Sequence, residues 1–108
     1  MSSDAVKLCH AAGAGDVVKV RRLLKAKVDV DVVDATQGFT PLRVASSRGQ
    51  VGAARLLLKA KAMVDLRTGA ANATALYSAC EFNHVAAVQL LVEWKASVDA
   101  PAATGAAP

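Results

Sequence analysis

The chain has 108 residues, of which 54% are hydrophobic and 20% are charged, so it carries enough apolar material for one folded domain. Its formal charge of +4 is modest and does not by itself indicate nucleic acid or a membrane as a partner. With only one Trp, one Tyr and two Phe, the core has to be assembled from small aliphatic side chains, which suits closely packed helices.

Charged residues interrupt the first ten positions, "MSSDAVKLCH", where a signal peptide needs a continuous apolar core, and no stretch approaches the length of a membrane span. We therefore expect neither. Cys9 and Cys80 lack the spacing of metal ligands; a disulfide between them is the alternative, and we expect two reduced, partly buried thiols. These features favour the cytoplasm, with the nucleus as the alternative.

The strongest pattern is self-similarity at an offset of 34 residues: "LLKAK" at 23–27 returns at 57–61. The offset divides the chain into units at 1–33, 34–67 and 68–100, with 101–108 as the start of a fourth unit or a flexible tail. Repeated positions hold small, aliphatic or turn residues, as in a stacked structural unit. They include Leu8, Leu42 and Leu76; Gly15, Gly49 and Asn83; Lys27, Lys61 and Lys95; and Asp31, Asp65 and Asp99.

In the first unit, the apolar spacing predicts two short helices on either side of Gly15, with polar residues 2–4 as caps before the first helix. The second of these helices carries Lys19 and Arg22 where the other units have Ala and Leu. A helix without a neighbour on its outer side has to present charge there, so this unit is predicted to be the N-terminal cap of the stack.

The second unit repeats this plan with clearer boundaries. Thr40 before Pro41 predicts a helix N-cap followed by proline at the first helical position, and Gly49 separates "TPLRVASS" from "VGAARLLLKA". In the third unit, Asn83 takes the place of that glycine. The connections "VDVDVVDATQGF" and "VDLRTGAANA" are rich in Asp, Gly and Asn and are predicted to be extended or hairpin-like.

The stretch "GFTPLRVASSRGQVGAARLLLKAKAMVD" resembles an ankyrin repeat in its Gly, Thr-Pro-Leu, Ala, Gly, Leu pair and closing Val-Asp. The resemblance extends from residue 5 to about residue 100. It implies an all-α repeat solenoid of stacked helix-turn-helix units joined by hairpin-like loops. Departures from the family pattern are a period that is one residue longer than usual, and Arg43 or Tyr77 where the family prefers His.

Lys27, Lys61 and Lys95 occupy the position after the second helix where the family usually has Gly. Glycine there supplies a left-handed backbone that costs a residue with a Cβ on the order of 1 kcal/mol. Either the lysines accept this strain, with their charge favourable at the helix C-terminus, or the turn takes another shape. The sequence leaves both alternatives open.

No catalytic, cofactor-binding or metal-binding residues are expected. "GAGD" at 13–16 lacks the preceding strand and the Lys of a phosphate loop, and "DVDVVD" at 29–34 lacks the Gly and the bidentate Glu of a calcium loop. Turn and hairpin roles explain both stretches. His10 and His84 have no partners at metal-ligand spacing, and no nucleophile and base can be paired, so an enzyme is not expected.

The resemblance implies a module that binds a folded protein partner through its hairpin tips and the exposed side of each first helix. Phe39, Arg48 and Phe82 are side chains of the types enriched at interface hot spots. The alternative for the aromatic rings is that they pack against neighbouring hairpins. The predicted partner-binding residues are Thr36, Gln37, Phe39, Ser47, Arg48, Ala71, Ala73, Glu81 and Phe82.

The basic run "KVRRLLKAK" supports an alternative, which is electrostatic binding of nucleic acid or anionic lipid by Arg21, Arg22, Lys25 and Lys27. We favour a solvated face of the cap helix instead, because no aromatic side chains interleave with the cations for stacking on bases. A further alternative is that the chain is a purely structural segment of a longer array.

The third unit keeps the apolar positions of an internal repeat and adds Trp94, so its outer side predicts weak self-association. The mean mass from light scattering is expected to rise with protein concentration. A monomer mass that does not change with concentration would contradict this prediction.

Overall fold

The structure is a computed structural model that describes residues 4–33, 38–68 and 73–96. Within these residues the chain forms six α-helices in three pairs, which confirms the all-α repeat solenoid. The residue at which one unit passes to the next stays a prediction, as does the assignment of 101–108. The helices are α1 (Asp4–Ala14), α2 (Val17–Lys25), α3 (Pro41–Ser47), α4 (Val51–Lys59), α5 (Ala75–Glu81) and α6 (Val85–Glu93).

The helices form two layers. The first helices of the pairs pack in the order α1, α3, α5, and the second helices pack beside them in the order α2, α4, α6. The resulting stack measures 40 × 26 × 21 Å. None of the helices in the described part of the chain is long and apolar enough to cross a membrane.

Small and aliphatic side chains fill the space between the layers, as the composition predicts. Close approach of the first helices is most evident at Gly13, where an added Cβ would lie 2.7 Å from Val44 Cγ1. A side chain at this point of α1 would force Val44 to move. The buried core includes Leu8, Ala11, Ala12, Val20, Leu42, Ala45, Ala53, Ala54, Leu57, Leu58, Leu76, Ala79, Ala87, Leu90 and Leu91.

Side-chain caps start three of the helices. Thr40 Oγ1 accepts a hydrogen bond from the Arg43 backbone N–H at 3.3 Å, and proline follows it at the first helical position, which confirms the predicted helix start. Thr74 repeats the cap at α5, and Asp16 caps α2. The residues predicted to cap α1 include positions 2 and 3, which lie outside the described residues.

Every described helix ends in a left-handed residue. After the first helices this residue is Gly15, Gly49 or Asn83, the residues predicted to separate the two helices of a unit. After the second helices it is Lys27, Lys61 or Lys95, with φ of 66°, 72° and 71°. At α4 the N–H of Lys61 donates to Leu58 O at 2.9 Å and the next N–H donates to Leu57 O at 3.0 Å. This is the Schellman arrangement, so the lysines adopt the left-handed turn that the family usually gives to glycine.

The connections between units are held by backbone pairing and by aspartate side chains. Thr68 and Ala73 exchange two backbone hydrogen bonds, of 3.0 and 3.1 Å, as expected for a hairpin. Asp31 Oδ1 accepts from the Met63 N–H at 2.9 Å and so joins the first connection to the second. Asp29 Oδ1 accepts from the Asp31 N–H at 3.0 Å, which is the predicted turn role for this acidic stretch.

Both cysteines are free thiols, but they differ in exposure. Cys9 is buried, and its Sγ donates to the Phe39 carbonyl oxygen at 3.5 Å, between the first and second units. Cys80 is exposed, so the prediction that it is partly buried was wrong. Cys80 occupies the same position in the third unit as the buried Ser46 does in the second. It is nevertheless exposed, because no described helix packs against the outer side of α5.

Replacing Lys61 by Gly should stabilise the protein, because glycine adopts a positive φ without the Cβ penalty. We expect the free energy of unfolding to rise by about 0.5–1 kcal/mol, measured by urea denaturation. Lys59→Gly is the matched control: Lys59 is the last residue of α4 and has a helical backbone, and we expect this change to lower the free energy of unfolding by about 0.5 kcal/mol. Equal destabilisation by both changes would contradict the prediction.

Candidate protein-binding groove

A groove of about 210 Å³ opens between the second and third units on the exposed side of the first helices. It lies along α3 and α5, and the hairpin residue Phe39 closes one side. The volume is sufficient for one or two side chains of a partner and not for a drug-sized ligand. The lining residues are Phe39, Arg43, Val44, Ser47, Arg48, Ser78, Glu81 and Phe82.

Arg43 fixes the floor of the groove. Its side chain is only 7% exposed, its Nε donates to Ser78 Oγ at 2.9 Å, and its Nη1 donates to the Thr68 carbonyl oxygen. Its guanidinium carbon lies 4.1 Å from the centre of the Phe39 ring, within range of a cation–π interaction. One side chain therefore ties α3 to α5 and to the hairpin between them.

The charge on Arg43 is retained despite its burial. Burial lowers the pKa of Arg43 from its usual value, and the nearby carboxylate of Glu81 opposes this by raising the pKa. Because the pKa of an arginine starts far above neutral, the guanidinium stays protonated at pH 7. Two of its donors, on Nε and Nη1, are used within the fold, so Arg43 shapes the groove and its side chain is held in place.

The rim of the groove is exposed and is formed by helix ends. Arg48 is the C-cap residue of α3 and Phe82 is the C-cap residue of α5, so the two lie at equivalent points of adjacent units. Phe82 is 57% exposed, which is unusual for a large aromatic side chain. Glu81, one residue before it, is also exposed and places a carboxylate on the same rim.

Arg48 also contacts the first unit. A Cβ built on Gly13 would lie 3.4 Å from both Cδ and Nε of Arg48, so the arginine stem rests on α1. The neighbouring Gln50 Nε2 donates to the Gly13 carbonyl oxygen at 3.2 Å. These contacts orient the arginine while its charged group remains in solvent.

The groove brings together five of the residues predicted to bind a partner: Phe39, Ser47, Arg48, Glu81 and Phe82. Ala73 is 0% exposed and pairs with Thr68 through its backbone, so its side chain does not reach the surface. Thr36, Gln37 and Ala71 lie outside the described residues. The assignment of all nine to a binding surface stays a prediction.

Sequence reasoning missed Arg43, Val44 and Ser78 as lining residues. The departure at Arg43 from the family's usual His was one available signal, because an arginine on a buried helix position needs fixed hydrogen-bond acceptors. The other two gave no signal of their own, since small and aliphatic residues recur along every helix of the chain.

The four residues of the alternative basic patch lie in the other layer. Arg21, Arg22 and Lys25 are exposed on α2, and Lys27 is exposed in the turn after it. Among the residues that the structure describes, no group of three or more His, Cys, Asp or Glu side chains is placed to hold a metal ion.

The fold is that of a helical repeat protein with a groove along the exposed side of its first helices. The sequence matches the family model for ankyrin repeats, in three copies, over residues 8–102, so the chain belongs to the ankyrin repeat family. No curated protein matches the chain. Ankyrin repeats are generally protein–protein interaction modules, and the family is typically non-catalytic.

Replacing Arg43 by Lys should destabilise the stack, because an ammonium group cannot serve both Ser78 and the Thr68 carbonyl. We expect a loss of about 2 kcal/mol in the free energy of unfolding, read from urea denaturation. Arg55→Lys, on the exposed side of α4, is the control and should change the free energy by less than about 0.5 kcal/mol. Equal denaturation midpoints for the two variants would contradict the role of Arg43.

Proposed function

We propose that the chain is a non-catalytic module that binds a folded protein partner on its hairpin tips and first-helix surface. The groove between α3 and α5 is the centre of this surface. The observation that carries the proposal is the exposed ring of Phe82 beside a groove whose floor is fixed by Arg43. Large aromatic side chains are enriched at interface hot spots, and this one lies beside a rigid groove that a partner side chain can fill.

The chemistry of the rim supports a partner of mixed character. Phe82 offers an apolar surface, while Arg48 and Glu81 offer opposite charges near it. A complementary partner places an apolar side chain in the groove, with a carboxylate facing the arginine and a cation facing the glutamate. The positive charge of Arg48 and the negative charge of Glu81 leave the rim with no net charge. Binding should therefore depend more on apolar contact than on ionic strength.

The rigidity of the groove supports docking of a folded partner over binding that is coupled to folding. The groove floor is tied by the hydrogen bonds of Arg43, and the rim residue Arg48 rests on Gly13. Little ordering of the module is then needed on binding, which favours docking with small rearrangement. For location we propose a reducing compartment such as the cytoplasm, since Cys9 and Cys80 are free thiols.

Phe82→Ala should weaken binding of the purified partner, obtained first by affinity capture from an extract of the source cell. Loss of the aromatic contact at the groove rim should raise Kd about 30-fold, and Arg48→Ala should raise it about 10-fold. Isothermal titration calorimetry provides the measurement.

Val85→Ala is the matched control, because Val85 is 61% exposed, similar to Phe82, but lies at the start of α6 outside the groove. Its Kd should stay within about twofold of wild type. A partner that binds wild type and Phe82→Ala equally well would exclude the groove as the docking site.

A further inference from the structure

Cations are concentrated on the second helices of the first two units. Eight of the 13 Lys and Arg residues lie on α2, on α4 or in the turns that follow them, and no Asp or Glu occurs at 17–28 or 51–62. All eight are exposed. Lys19 lies on another side of α2 from Arg21, because residues two apart on a helix do not face the same way. The basic face consists of the other seven: Arg21, Arg22, Lys25, Lys27, Arg55, Lys59 and Lys61.

The repeat arranges these cations in register. Arg21 and Arg55 are equivalent positions, as are the lysines four and six residues after them, and α2 packs directly against α4. Residues four apart on a helix lie about 6 Å apart, and packed helices are about 8–10 Å apart. The cations therefore form a grid across two units, which is a feature of the stack and not of α2 alone.

Nearby carboxylates do not neutralise the basic face. Asp16 accepts the Lys19 backbone N–H and Asp31 accepts the Met63 backbone N–H, so both are used in the fold. No Asp or Glu shares α2 or α4 with these cations. The face ends at the third unit, where Gln89 and Glu93 replace the arginine and lysine of the earlier units.

The shape and composition of the basic face select one kind of polyanion. No aromatic side chain lies on α2 or α4, so single-stranded nucleic acid has no stacking partner. Two helices side by side present a broad face, not a channel, so a cylindrical duplex would touch fewer rows of the grid than a planar surface. Val18, 62% exposed, lies among Arg21, Arg22 and Lys25 and adds an apolar contact.

We propose that the basic face binds the surface of an anionic membrane as a peripheral contact. Clusters of four to eight Lys or Arg side chains are typical of sites that bind anionic lipid surfaces. The protein-binding groove lies along the first helices, in the other layer, so a module held on a membrane by α2 and α4 leaves the groove accessible. The membrane contact stands independently of the partner that the groove holds.

The test is co-sedimentation of the whole chain with phosphatidylcholine vesicles that contain, or lack, roughly one third phosphatidylserine. Binding is expected only with phosphatidylserine and should weaken as salt is raised. Each Lys or Arg near an anionic surface contributes about fivefold to the partition coefficient, so Arg21→Gln with Arg55→Gln should lower it about 25-fold.

The control is Lys7→Gln with Arg67→Gln, which removes the same charge from exposed positions outside the basic face. Its partition coefficient should fall less than about threefold, because distant charges are screened. The proposal is overturned by absence of binding at low salt, by equal losses in the two variants, or by a DNA duplex that stays bound at salt that releases the vesicles. Circular dichroism verifies that both variants are folded.

Discussion

The close approach of the first helices is the constraint on which the rest of the structure depends. Helices of 7 to 11 residues cannot bury an apolar face within one pair, so each unit needs a neighbour. Alanine and glycine make this approach feasible, and at Gly13 the space left by α3 does not admit even a methyl group. The stability of the chain is then distributed over its interfaces between units, and side chains that cross an interface, such as Arg43, carry more of it than their number suggests.

Helix termination places the functional side chains as well as ending the helices. Short helices have a large share of their backbone in end turns, and all six described helices close with a residue of positive φ. Arg48 and Phe82 come directly before such residues, Gly49 and Asn83, so the turn projects them from the stack. The groove rim is thus a consequence of the same turn in two adjacent units, and its floor is the arginine that joins those units.

The sequence was most predictive where one residue has one structural use. Thr40 followed by Pro41 defined a helix start, and the period of 34 residues identified a repeat protein and its family. The sequence could not decide which backbone conformation Lys61 adopts, because a lysine is compatible with both a strained and a relaxed turn. It was wrong for Cys80, because register identifies equivalent positions but not which of them have a neighbour. Arg43 was missed as a groove residue because its acceptors, Ser78 and the Thr68 carbonyl, lie 35 and 25 residues away.

The two layers carry surfaces of different chemistry, and the repeat explains how both arise from one unit. Core positions must stay small or aliphatic in every unit, so variation is confined to exposed positions. On the first helices those positions hold an aromatic ring and balanced charges; on α2 and α4 every charged one holds a cation. Because rigid packing separates the layers, contacts on one side need not disturb the other. A net charge of +4 consequently describes neither surface, since the excess of cations belongs to α2, α4 and their turns, while the groove rim is close to neutral.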